Sequence, residues 1–120
     1  MEDNRAEQRE ALEVLTDFNE RVLKNMKIIV KELSGERLED TNQFLKGIVD
    51  AMNWEIEVVN GTIGMLNEGR ERIDKEAFNA AVLKFGDAIK ANEDAAMAEA
   101  ITALIPVFEN LGEAAKEVTA

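Results

Sequence analysis

Apolar residues recur every three or four positions over nearly the whole chain, which is the repeat of a helix rather than of a strand. Ala11, Leu15, Phe18, Val22, Met26, Ile29 and Leu33 step in this way. They predict a first helix over about residues 4–33, with Asp3 and Asn4 available to cap it and Ser34-Gly35 to end it. Leu38, Thr41, Leu45, Ile48, Met52, Ile56, Val59, Ile63 and Leu66 carry the rhythm through a second helix that Gly69 terminates. Asn60-Gly61 is a turn signal inside that span, but the stripe stays in phase across it, so one unbroken helix is expected.

Asp74 reads as the N-cap of a shorter third helix that bears Phe78, Ala81, Val82, Phe85, Ala88 and Ile89 and stops near Asn92. A fourth helix starts near Asp94 and runs through Met97, Ile101, Leu104, Phe108, Leu111, Ala115 and Val118, with Pro106 opposite its apolar stripe. Strand signals and linker-like tracts are lacking. The expectation is an all-α chain, residues 1–120 forming a single domain. Its simplest architecture is an antiparallel four-helix bundle, up-down-up-down, whose short third helix leaves part of the first pair uncovered.

Composition narrows the chemistry. The 120 residues include no cysteine, histidine or tyrosine. This removes triads built on histidine, zinc sites of imidazole or thiolate, and iron–sulfur clusters. The 14 basic residues against 25 acidic ones leave a net charge of −11, which repels nucleic acid and anionic membrane surfaces. The longest apolar runs, Ile28-Ile29-Val30 and Ala103 to Phe108, are too short to span a bilayer, and Met1 to Glu10 has no apolar signal region, so a cytoplasmic protein is expected. By area scaling a chain of this mass exposes roughly 6,500 Å² when folded and buries about two thirds of its unfolded surface, which suffices for a core without staples.

The second helix carries most of the functional information. On a wheel of about 100° per residue, its main stripe lies within about 60° of Leu45, while Gly47, Ala51, Trp54, Val58, Gly61 and Met65 form another near 200°. Roughly 200° of largely apolar circumference exceeds what two neighbours in a small bundle require. Either this is the central helix with Trp54 internal, or Trp54, Val58 and Met65, beside Gly61, form a surface for a second subunit or a partner's amphipathic helix. Glu55 lies between the stripes with only apolar neighbours at helical spacing. It therefore calls either for a partner on another helix or a path to solvent, or for a raised pKa in a contact that specifies partner or register.

Other signals favour structural explanations. Lys24, Lys27 and Lys31 share the outer face of the first helix with Glu13 and Glu20. Glu39-Asp40 and Glu93-Asp94 sit where helix starts attract acids and lack calcium-loop spacing. Asn60-Gly61-Thr62 matches a glycosylation triplet only within an expected helix.

Gly47-Ile-Val-Asp-Ala-Met-Asn-Trp54, Ala88-Ile-Lys-Ala-Asn-Glu-Asp94 and Leu104-Ile-Pro-Val-Phe108 resemble an uncharacterised all-helical domain family of Gram-positive bacteria. In size, acidity and helix content the chain is also similar to small bacterial export chaperones, without the motifs of the flagellin-binding type. The expected function is a non-enzymatic protein–protein interaction module that self-associates or binds a protein partner through its second helix. The alternatives are an export-chaperone-like binder of an amphipathic helix and, less well supported, a carboxylate metal-binding protein or enzyme. No catalytic residue, cofactor or metal ligand emerges; the candidate contact residues are Trp54, Val58, Met65, Glu55 and Gly61.

Overall fold

The computed structural model describes residues 4–120. Four helices follow one another, α1 (Arg5–Leu33), α2 (Thr41–Leu66), α3 (Lys75–Ala91) and α4 (Asp94–Thr119), with no strand among the described residues. The local stop and start signals act as their chemistry dictates. Gly35 after α1 and Gly69 after α2 take left-handed φ values of 120° and 85°, which cost a residue with a Cβ more than glycine. The Asp74 carboxylate accepts the Ala77 backbone N–H at 3.0 Å, and Asn92 closes α3 in the left-handed conformation at φ 57°. Asp3, the other expected cap of α1, lies outside the described residues; Asn4 occupies the cap position without a side-chain capping bond.

Two boundaries differ from the sequence pattern. Leu38 is exposed and precedes α2, which begins at Thr41. There the buried Thr41 hydroxyl accepts the Leu38 N–H and donates to Glu32, so a polar knot takes the place of an apolar contact. At the other end α2 stops at Leu66, three residues before Gly69, because Asn67 turns to the following loop: its amide oxygen accepts the N–H groups of Arg72 and Ile73, and its amide nitrogen donates to the Ile73 carbonyl. Within α2 the helix passes unbroken through Asn60-Gly61. Pro106 sits exposed inside α4, where the bond it cannot donate costs least.

Long-range contacts fix the topology. Arg5 meets Glu68 and Asn19 meets Glu55, so α2 runs antiparallel to α1. Asn19 meets the Phe108 carbonyl and Arg37 meets Asp94, so α4 is antiparallel to α1 as well, while Phe78 stacks near Phe108 as α3 returns along α4. The result is an up-down-up-down bundle with packing order α2–α1–α4–α3, in which α2 also touches α4. The helices flanked on both sides are thus α1 and α4 rather than α2. Leu12, Leu15, Met26 and Ile29 of α1, Met52, Val59 and Leu66 of α2, and Ile101, Leu104, Phe108 and Leu111 of α4 are fully buried. Each contributes roughly 1.5–3 kcal/mol of apolar burial. The molecule measures 51 × 24 × 22 Å and exposes 7208 Å², somewhat more than mass alone implies, as an elongated shape requires.

Candidate functional site

The buried face of α2 centres on its main stripe and extends toward the second, most of which stays half-buried or exposed, and Glu55 lies between the two. Relative to Leu45 the buried positions Thr41, Ile48, Met52, Val59 and Leu66 fall at about −20° to −60°, and Glu55 at about −80°. Glu55 is consequently fully buried. The Asn19 amide of α1 donates one hydrogen to Glu55 Oε1 at 2.9 Å and another to the Phe108 carbonyl of α4 at 3.1 Å, joining three helices at one point. The second oxygen, Oε2, has no hydrogen-bond partner. Burial pushes the Glu55 carboxyl from 4.5 up to about 7, the Asn19 bond opposing that rise.

Gly112 completes the junction by what it lacks. A Cβ there would stand 2.5 Å from Asn19 Oδ1, so only glycine lets α4 approach the amide this closely. Asn19 and Gly112 escaped the sequence pattern because each is a small residue adjoining an apolar stripe, and a helical wheel does not show which stripes face each other. The signal that was available was a polar residue four positions after Leu15 and four before Leu23, on the inward side of α1.

Trp54 occupies the outer shoulder. It is half-buried and meets Phe18 of α1 edge-on, with ring centroids 5.2 Å apart and planes at 83°. The Arg21 guanidinium lies 5.7 Å from the Phe18 ring centre. Trp54, Phe18 and Val14, which is 52% exposed, line a shallow apolar hollow of about 300 Å³. A second hollow, about 400 Å³, shares Phe18 and continues along the α1–α2 seam past Val22, Asn25, Phe44, Gly47 and Ala51. Val58 is half-buried beside Trp54, and Gly61 is exposed with open space where a Cβ would stand. Met65, by contrast, is only 6% exposed and packs in the core, so it offers nothing to a surface contact. It sits in the last turn of α2, just before the chain folds back through the loop that buries Ile73. Glu55, fully buried, likewise offers no direct surface contact.

No group of three or more acidic or other metal-ligating side chains comes together among the described residues. Acids instead form separate ion pairs across the surface, Glu20 with Lys116, Glu109 with Lys27, Asp94 with Arg37, and Glu117 with both Arg70 and Arg72. Thr62 of the glycosylation triplet is buried and donates its hydroxyl to the Val58 carbonyl at 2.6 Å. No helix among the described residues is long and apolar enough to cross a membrane.

A family model described as a domain of unknown function, DUF8042, matches residues 10–114. The chain belongs to that family. The DUF8042 match takes in Asn19, Glu55, Gly112 and the whole Trp54 seam, and agrees with the expected membership of a small uncharacterised domain family. No curated protein and no solved structure matches the chain.

Proposed function

We propose that the protein is a non-enzymatic interaction module that docks an apolar surface of another protein onto the α1–α2 seam around Trp54. The observation that carries this reading is the hollow of Val14, Phe18 and Trp54, where aromatic surface lies open beside an already packed core. The non-enzymatic reading rests on the absence of histidine and cysteine and on Glu55, the one buried charged residue among those described, whose contacts serve to join helices. A bacterial, cytoplasmic setting, suggested by the sequence, goes with this function.

The test compares wild type with Trp54→Ala. Affinity capture is expected to retain protein on the wild type that Trp54→Ala loses while keeping its helical circular dichroism. Light scattering then assigns the retained species, because a mass that doubles in the wild type alone means self-association. Identical capture by both proteins, with Trp54→Ala merely less stable, would make Trp54 an internal packing residue and end the proposal.

A further inference from the structure

The seam's charge indicates what kind of partner it takes. On α1 the residues one turn to either side of Val14 on its outward edge are Glu10 and Asp17, and on α2 those flanking Trp54 are Asp50 and Glu57. All four are exposed, so the apolar hollow is bordered by acids from both helices. Cations share this rim: Arg21 lies over Phe18, exposed Lys24 follows it one turn on, and Lys46 is 3.5 Å from Asp50. A second copy of the chain would bring the same four acids against these, on top of a net charge of −11 for each molecule. The two hollows together follow α1 from Val14 to Asn25, about 17 Å or three helical turns.

We propose that the α1–α2 seam is a docking groove for a cationic amphipathic helix of another protein. Its apolar face would rest on Phe18, Trp54 and Phe44, with Gly47 giving depth at the far end, and its lysines or arginines would meet the rim acids. This deepens the reading above and rests on it. A groove whose base is apolar and whose borders carry more acids than bases favours a cationic partner by charge as well as by fit.

Trp54 is the only tryptophan in a chain without tyrosine, so its emission reports on the groove directly. The probes are synthetic helices of about 14 residues, long enough to span the groove. One carries leucines on one face and lysines on the other, a second replaces the lysines with glutamates, and a third replaces the leucines with serines. Only the first is expected to shift Trp54 emission to the blue with saturation. A Glu10→Gln, Asp17→Asn, Asp50→Asn, Glu57→Gln quadruple variant, changed only at exposed positions, should bind it about tenfold more weakly at low salt. Equal binding of the lysine and glutamate helices would overturn the cationic partner while leaving the interaction module standing. Binding that leaves Trp54 emission unmoved, or equal binding of the serine helix, would be attraction to the acidic surface at large and would overturn the groove. Binding by none of the three would overturn both the groove and the module reading of this seam.

Discussion

At Glu55 a single carboxyl is asked to be buried and is given one neutral hydrogen-bond donor. Between its ordinary value of 4.5 and about 7 the unfolded chain gives up the proton while the folded chain keeps it. Folding is thus favoured on the acid side, and stability falls as pH rises through that window. Replacing Glu55 with Gln keeps the shape and the acceptor for Asn19 but removes the charge. Glu55→Gln is expected to match wild type near pH 4 and to exceed it above pH 7 by about 3 kcal/mol, measured by urea unfolding across pH. A difference that does not change with pH would mean that the carboxyl is already ionised in the folded protein. The sequence marked Glu55 as anomalous because its helical neighbours are apolar. It gave no means of choosing Asn19 as the partner, because that contact joins positions 36 apart.

Among the elements, α2 keeps a half-covered apolar shoulder, while the large apolar side chains left exposed on helices, Val14, Ile28 and Leu83, lie on α1 and α3. The inward arc of α2 packs on α1 and touches α4, and its outer shoulder, Trp54 and Val58, stays half-buried along the seam. Gly61 lies beyond that shoulder, exposed in the middle of a helix with nothing within 4 Å of a would-be Cβ. Gly61→Ala should therefore stabilise the isolated protein by about 0.5–1 kcal/mol in thermal or denaturant unfolding, since alanine loses less entropy on entering a helix. If α2 needed Gly61 for close approach within its own fold, the same change would destabilise it. The Asn60-Gly61 turn signal was overridden because Ile56, Val59, Ile63 and Leu66 keep their spacing through it and the helix continues to bury that face.

For the whole molecule, the long core is closed at its ends by ion pairs. At one end Arg37 holds Asp94; at the other Arg5 holds Glu68, and Arg70 and Arg72 both meet Glu117. These hold the carboxyls of Asp94, Glu68 and Glu117 below their usual range, chiefly through the arginine hydrogen bonds. That contribution is lost as pH falls through their lowered values, opposite in sign to Glu55. Arg72 does the most, since it is only 15% exposed and also donates to the Leu66 carbonyl at the end of α2 and the Glu68 carbonyl just after it. Arg72→Ala should cost about 1–2 kcal/mol in denaturant unfolding and detach the α2–α3 loop from α4. Little loss would mean that Asn67 and the Asn110 bond to the Arg72 carbonyl suffice to hold the loop.

The sequence by itself determined the four helices, the Asp74 and Asn92 caps and the shortness of α3, because periodicity and capping act over a few residues, and short connections made the up-down-up-down course the simplest one. It also singled out Trp54 and Glu55. Which helices are central, that Met65 is buried while Trp54 stays half-open, and that Asn19 and Gly112 complete the Glu55 junction were decided only by the tertiary structure. A helical wheel reports which residues share a face, whereas burial depends on which neighbour covers that face and how closely it approaches.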